Sequence, residues 1–188
     1  VEDGLITSIH PLRDDEPIDP GFLLPGFIDA HVHVESSMLP PTEFARVAVR
    51  HGTVATVSDP HEIANVLGEE GLEFMLAEAD RACMPIYFGV PSCVPATEFG
   101  TSGERIDAVA VGRLLADARF RYLCEMMNWP GVLHDDPEVM AKIAAAQRLG
   151  KPIDGHAPGL RGEDAKRYAA AGITTDHECF TLEEARDK

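Results

Sequence analysis

Two histidines, His31 and His33, stand one residue apart at the end of an apolar run at 23–30. In an extended strand the side chains at positions i and i+2 point to the same face, so both imidazoles can reach one metal ion. A histidine pair near a turn can equally be solvated or hydrogen-bonded within a core. The residues that follow along the chain favour the metal.

Most of the chain alternates short apolar runs with amphipathic stretches joined through Gly or Pro, which is typical of a repeated strand-helix unit. Six units in series predict a parallel sheet, either open and doubly wound or rolled toward an eight-stranded barrel. The Gly-rich phosphate motifs of nucleotide-binding sheets do not occur in the sequence, which favours the barrel. The predicted strands are 23–33, 53–58, 86–90, 121–127, 153–156 and 173–177, and the predicted helices are 41–50, 62–82 with a break near Gly68 and Gly71, 107–117, 137–149, 163–171 and a last segment that Thr181 caps.

Five of the six predicted strands end in side chains that can bind a metal or transfer a proton. The carboxyl ends of barrel strands converge on one pocket, and active sites are built there. Histidines and a carboxylate in matching positions of successive units rarely arise from packing alone, so we predict a metal site. These groups are His31 and His33, then Asp59, His61 and Glu62, then Glu125, then His156, and finally Asp176, His177 and Glu178.

Imidazole and carboxylate ligands without a thiolate suit Zn²⁺, Mn²⁺ or Fe²⁺. Glu125 lies between two groups of histidines in the sequence and is the natural bridge between two ions. A metal in such a site lowers the pKa of bound water toward about 7. The predicted class of reaction is therefore metal-assisted hydrolysis.

The composition argues against several kinds of partner. Thirty-two acidic residues against sixteen basic ones give a formal net charge of −16, which repels nucleic acid and anionic lipid surfaces. No stretch approaches the roughly 20 apolar residues of a membrane span, and the first residues lack the features of a secretory signal. We therefore expect a cytoplasmic protein with no nucleic-acid or membrane partner.

The segment at 25–33, Pro-Gly-Phe-Ile-Asp-Ala-His-Val-His, resembles the first-strand signature of the amidohydrolase superfamily. The segments at 34–39, 59–68, 91–97, 125–128, 154–158 and 176–179 resemble the adenine deaminase family within it. The runs DPHEIANVLG and PSCVPAT are far more specific than the histidine pair alone. The resemblance extends over nearly the whole chain.

This resemblance implies a metal-dependent (β/α)8 barrel whose first six units occupy residues 23–188. Residues 1–22 are then expected to be the end of a small β-rich domain and a linker, since residues 4–9 read like a strand entered in mid-structure. The family implies that His31 and His33 bind one divalent ion, that His156 and His177 bind the other, and that Glu125 bridges them. Mn²⁺ or Fe²⁺ is preferred, with Zn²⁺ as the alternative.

The activity that the resemblance implies is hydrolytic deamination of the purine adenine to hypoxanthine and ammonia. Superfamily deaminases place a proton-shuttling aspartate after strand eight, and the sequence at hand ends after the sixth unit. The catalytic acid-base group is therefore unknown within this chain. We expect the 188 residues to be the amino-terminal part of a larger enzyme and to be inactive, or nearly so, alone.

Other polar residues near the strand ends admit both functional and structural interpretations. Asp59, His61 and Glu62 could touch substrate, hold an extra ion or cap the following helix. Glu35 and Ser36 could line the purine pocket, and Ser36 could equally be a helix cap.

The last strands raise the same question. Asn128 could bind substrate or form a turn. Asp176 and Glu178 flank His177, and strand alternation predicts that Glu178 points to the opposite face, away from the ligands.

Two alternatives to the deaminase stay open. One is a cyclic-amide hydrolase of the same superfamily, such as an enzyme that opens a hydantoin-like ring. The other is a non-catalytic metal-binding or assembly module, because an unclosed six-stranded sheet exposes strand edges that can pair with a partner chain or a second copy. Homo-oligomer formation is therefore physically reasonable.

Overall fold

Six short strands follow one another along the chain and all run parallel. The computed structural model describes residues 2–11, 13, 15–17, 21, 22, 24–97 and 99–188. In order, the strands are β1 (Phe27–Val32), β2 (Thr53–Ser58), β3 (Ile86–Phe88), β4 (Leu123–Met126), β5 (Ile153–Gly155) and β6 (Thr175–Asp176).

Each strand lies beside the strand before it. Parallel pairing gives the orders β1-β2-β3 and β4-β5-β6. Main-chain hydrogen bonds join the two groups, from Arg121 N to Phe88 O at 2.8 Å and from Val90 N to Tyr122 O at 2.9 Å. The predicted α/β class with a parallel sheet is therefore confirmed, and the carboxyl ends of all six strands lie at the same side of the sheet.

Helices connect successive strands. They are α1 (Pro41–Ala48), α2 (His61–Ala79), α3 (Ala108–Leu115), α4 (Trp129–Leu133), α5 (Pro137–Arg148), α6 (Gly162–Ala170) and α7 (Leu182–Asp187), with short 3-10 helices at Val34–Ser37 and Val49–His51. Thr181 caps α7 as predicted, because its side chain accepts a hydrogen bond from Glu184 N. The predicted break in the second helix occurs at Gly68, which has φ 59° and ψ −137°, whereas Gly71 stays helical.

The sequence analysis missed α4. Its Trp-Pro-Gly start is typical of a turn, but Pro130 falls in the first helical turn, where a missing N–H is tolerated. Asn128 supplies the N-cap, since its Oδ1 accepts a 3.0 Å hydrogen bond from Gly131 N.

Two predictions about the start of the chain were wrong. Residues 4–9 form no strand, and only an isolated bridge joins Glu2 and Leu5. The first strand of the sheet begins at Phe27, where pairing with β2 starts. Residues 24–26, which were predicted to belong to it, form no strand, and Leu23 lies outside the described residues. Pro25 has no N–H to donate to a ladder, which is consistent with the late start.

The hydrophobic core lies on β3, β4 and β5 and the helices packed against them, and it includes Phe88, Leu123 and Ile153. At the other edge, β1 leaves Phe27 66% and Ile28 62% exposed. Among the described residues, no helix combines the length and the hydropathy that a membrane span requires.

Candidate metal centre

The carboxylate of Glu125 is the centre of the predicted ligand set. It lies on β4 with only 2% of the residue exposed. Its Oε2 is 2.9 Å from His177 Nε2, 3.0 Å from His156 Nδ1 and 3.6 Å from His31 Nε2. Its Oε1 is 3.8 Å from His33 Nε2. The structure therefore brings together all five residues that the sequence predicted as ligands.

These separations suit ligands that share an ion. Ligand atoms around one tetrahedral ion lie about 3.4 Å apart when each bond is about 2.1 Å long. The nitrogens His31 Nε2 and His33 Nε2 are 3.2 Å apart. Although Glu125 Oε2 is buried against three imidazoles, it has no partner in hydrogen-bond geometry. A buried carboxylate oxygen without a hydrogen-bond partner, surrounded by imidazole nitrogens, fits a site for a divalent cation.

Side-chain hydroxyls from outside the sheet hold the strands that carry the candidate ligands, through hydrogen bonds to the main chain. The hydroxyl of Tyr168 in α6 donates to Met126 O at 2.8 Å and accepts from His156 N at 3.1 Å. The hydroxyl of Ser92 donates to the carbonyl of Glu125. The ends of β4 and β5 are therefore fixed to each other through buried side chains.

Asp154 is a member of the cluster that the sequence analysis missed. Its Oδ2 is 3.3 Å from His31 Nδ1 and 3.2 Å from His177 Nδ1. The signal was present in the sequence, because a residue two positions before His156 shares the face of β5 that carries the ligand.

Asp59 and His61 also reach the site. Oδ2 of Asp59 is 3.1 Å from His61 Nδ1, which in turn is 3.4 Å from Glu125 Oε1. The other oxygen of Asp59 accepts a 3.0 Å hydrogen bond from His61 N at the start of α2. Pro60 occupies the N-cap position of α2, so Asp59 lies one residue before it and contacts both the first N–H of the helix and the ring of His61. Together with His33 and Glu125, this pair forms a four-residue group that could hold an ion.

Glu35, Ser36 and Glu62 join the 3-10 helix after β1 to the start of α2. Ser36 Oγ donates a 2.5 Å hydrogen bond to Glu62 Oε2, and Glu35 Oε1 accepts one of 3.2 Å from Ile63 N. The second oxygen of Glu35 is buried without a hydrogen-bond partner, and burial raises the pKa of this carboxyl. The described contacts of these three residues are thus structural.

The remaining predicted residues lie around β6 and after β4. Asn128 acts as the cap of α4 described above. Asp176 accepts from Glu178 N at 3.0 Å and lies 3.1 Å from Lys188 Nζ. Glu178 was predicted to point away from the ligands, and this was wrong, because its Oε1 is 3.9 Å from His156 Nδ1. Since β6 ends at Asp176, strand alternation no longer governs Glu178.

The carboxylates give the site a strong preference for positive charge. Burial opposes ionisation of Glu125, but the contacts with His156 and His177 outweigh it and hold its pKa well below the ordinary value. Burial likewise opposes protonation of His177, yet Asp154 and Glu125 raise its pKa to about 10. Asp59 and Glu125 raise the pKa of His61 to about 9 against the same effect of burial. Such a site stabilises either protonated imidazoles or bound cations.

In this parallel α/β sheet, histidines at the strand ends surround one buried carboxylate. This arrangement is typical of α/β proteins with a binuclear metal centre at the carboxyl ends of their strands. The chain belongs to the amidohydrolase family, whose model matches residues 22–188. The resemblance noted in the sequence is confirmed.

Adenine deaminases from several organisms are similar to the whole chain. The adenine deaminase of Salinibacter ruber is 61% identical over 188 residues, which is 100% of this chain and 34% of that protein. Those of Methanosarcina mazei and Sulfurovum sp. are 58% and 56% identical over the same length, covering 33% and 35% of each. The chain thus spans about a third of the length of the curated relatives it matches.

Likeness to a solved structure is much weaker. A mandelate racemase/muconate lactonizing protein from Herpetosiphon aurantiacus aligns with 79% of this chain and 52% of its own, at 11% identity and a TM-score of 0.27. That score is too low to support an argument about fold.

Proposed function

We propose that this chain is the metal-binding part of an adenine deaminase, which hydrolyses adenine to hypoxanthine and ammonia. The observation that carries the proposal is the convergence of four histidines on Glu125 in a chain that is 61% identical, over its whole length, to an adenine deaminase. Fold alone would not support an activity, whereas a matching site on a matching sequence does.

The proposed arrangement follows the ligand chemistry. His31 and His33 hold one ion, His156 and His177 hold the second, and Glu125 bridges them. Mn²⁺ or Fe²⁺ is the proposed metal, with Zn²⁺ as the alternative, because imidazole and carboxylate donors suit all three. The chemistry that such ions supply when bound is the activation of water at neutral pH.

The chain's own residues hold and orient these groups. Glu125 keeps its negative charge in a buried position, which neutralises part of the charge of two cations. Asp59 orients the ring of His61 beside Glu125. Of the other predicted residues, Glu178 is close enough to His156 to join its ion, and Glu35, Ser36, Glu62, Asn128 and Asp176 support the surrounding loops. The residue that transfers protons to the leaving amine is not assigned within these 188 residues.

We further propose that residues 23–188 form the first six units of an eight-stranded barrel and that residues 1–22 belong to a small neighbouring domain and linker. The observed strand order, with each strand beside its predecessor, supports this arrangement. A cytoplasmic location, adenine as the small-molecule partner, the lack of nucleic-acid and membrane partners, and self-association are predictions of the same proposal.

The test is metal analysis combined with an assay of ammonia release from adenine. It is performed on this chain and on a chain extended at its carboxyl end to the length of the relatives. We expect about two divalent ions per chain in both and ammonia release by the extended chain. Opening of a hydantoin ring without ammonia release would favour the cyclic-amide alternative. A metal-free monomer that is inactive when extended would contradict the proposal.

A further inference from the structure

Two imidazoles, one on β1 and one directly after β6, are held between the same two carboxylates. The rings of His31 and His177 stack with centroids 3.6 Å apart and planes 20° apart. Their Nε2 atoms approach one oxygen of Glu125, at 3.6 and 2.9 Å. Their Nδ1 atoms approach one oxygen of Asp154, at 3.3 and 3.2 Å. Each ring therefore meets a carboxylate at both of its nitrogens.

The carboxylate of Asp154 is fixed in place by its other oxygen. Asp154 Oδ1 accepts a 2.7 Å hydrogen bond from Thr175 Oγ1 and a 2.9 Å hydrogen bond from Gly155 N. Only 9% of the residue is exposed. These two bonds leave Oδ2 directed at the histidines, and nothing in the proposed ligand set uses it.

We propose that Asp154 is a positioning residue that sets the tautomer of two metal ligands, one for each proposed ion. This inference rests on the proposed function. A neutral imidazole carries a single N–H, so a ring that donates Nδ1–H to a carboxylate presents the lone pair of Nε2 to a metal. In this proposal Asp154 Oδ2 is the acceptor for Nδ1–H of two rings. It lies 3.3 Å from Nδ1 of His31, a proposed ligand of the first ion, and 3.2 Å from Nδ1 of His177, a proposed ligand of the second.

The other two histidines are oriented by different means. His33 Nδ1 lies 2.9 Å from the carbonyl of Asp59, which leaves its Nε2 free for the ion. His156 turns Nδ1, not Nε2, toward Glu125. Asp154 therefore contacts one histidine from each proposed ligand pair. Its loss is expected to weaken the binding of both ions together.

The experiment compares Asp154→Asn with the unsubstituted chain. Asparagine keeps the size of the side chain but offers N–H donors to the rings, which favours the tautomer that blocks Nε2. We titrate each protein with Zn²⁺ by calorimetry and record the imidazole ¹⁵N resonances of the Zn²⁺-loaded, ¹⁵N-labelled chain. We expect Nε2 ligation by His31 and His177 in the unsubstituted chain, and roughly 10- to 100-fold weaker binding of both ions in Asp154→Asn.

The matched control is Asp135→Asn, which removes the same charge from an exposed carboxylate that pairs with Arg167 at 2.8 Å. It is expected to bind both ions as the unsubstituted chain does. If Asp154→Asn does not fold, Thr175→Val removes the hydroxyl that anchors Oδ1 and is expected to weaken both ions by a smaller, common factor.

The outcomes separate the two proposals. An unsubstituted chain that fails to bind two Zn²⁺ ions refutes the metal centre and with it this inference. A chain that binds two ions but ligates through Nδ1 of His31 or His177 refutes only the role of Asp154. The role of Asp154 is also refuted if Asp154→Asn loses only one ion or binds both ions with unchanged affinity. If Asp154→Asn does not fold, the same outcomes for Thr175→Val refute it.

Discussion

The hydroxyl of Tyr168 donates a 2.8 Å hydrogen bond to the carbonyl of Met126, the residue that follows Glu125 in β4. The same hydroxyl accepts from the N–H of His156 at 3.1 Å, so one side chain of α6 joins the main chains of two ligand-bearing strands. Tyr168 is only 3% exposed.

Replacing Tyr168 with Phe is expected to destabilise the metal-free chain. The substitution leaves the carbonyl of Met126 and the N–H of His156 without this partner. Each unsatisfied buried group lowers the free energy of unfolding by at most about 1–3 kcal/mol, and by less if the neighbouring residues shift. The free energy of unfolding in urea measures the effect. Tyr87→Phe is the control, since Tyr87 is 39% exposed, and it should change stability by no more than about 0.5 kcal/mol. Equal stabilities for both variants would contradict the assigned role.

Glu125→Gln is expected to remove both proposed ions, because it takes away the charge that they share. Metal content measured after equilibration with Mn²⁺ should fall from about two ions per chain to less than one. The exposed helical pair of Glu43 and Arg46 offers a control in Glu43→Gln, which should retain full metal content. Retention of one tightly bound ion by Glu125→Gln would show that the carboxylate is not shared.

Metal binding is expected to release protons at pH 7. Without a metal, Asp154 and Glu125 raise the pKa of His177 to about 10 despite the opposing effect of burial, so this ring is protonated at neutral pH and must lose its proton to bind a cation. The apparent affinity should therefore rise with pH up to about pH 10. Calorimetry in buffers of different ionisation enthalpy gives the number of protons released. Binding without proton release at pH 7 would contradict the expectation.

The metal-free chain should show the opposite trend in stability. A group whose pKa is raised on folding contributes stability that is complete below its ordinary pKa, here 6.5, and is lost as the pH rises through the folded value. Unfolding free energies measured in the presence of a chelator should therefore decrease between pH 6.5 and pH 10. A His177→Ala variant should show a smaller decrease.

Acid should weaken the attachment of α7 through Glu184. The carboxyl of Glu184 accepts hydrogen bonds from the N–H groups of Phe180 and Gly159 and lies beside the charge of Lys188. These contacts, the one with Phe180 first, lower its pKa below the ordinary value of 4.5. Its contribution is present above pH 4.5 and is lost as the pH falls through the lowered pKa. The protection factors of the α7 amides, which are exchange rates corrected for the intrinsic rate at each pH, should thus fall in acid for the unsubstituted chain and change less for Glu184→Gln. The neighbouring exposed Glu183→Gln variant should behave as the unsubstituted chain does.

The sequence predicted the parts of the site that depend on local periodicity. The histidines at i and i+2 lie at the end of β1 and just after it, where the backbone is still extended, and strand alternation predicts that they share a face. The structure brings them together with the histidines after the later strands at Glu125. The α/β class and the order of the elements follow from the same pattern.

Other features depend on contacts between distant residues and could not be predicted in this way. The position of Glu178 depends on where β6 ends, and the role of Asp154 depends on His31 and His177 meeting across the site. The helix α4 forms because Asn128 caps a segment whose Pro and Gly are typical of a turn. Exposed residues 4–9 have the composition of a strand but have no neighbouring strand to pair with among the described residues.

The stacked rings of His31, on β1, and of His177, directly after β6, are separated by most of the sequence. Contacts between such distant positions form late and slow the folding of a chain. Since synthesis proceeds from the amino terminus, a ribosome must extrude almost all of this segment before the rings can meet. A complete site for the proposed ions therefore cannot form until residue 177 has left the ribosome, and a shorter growing chain cannot use that complete site to begin its own folding.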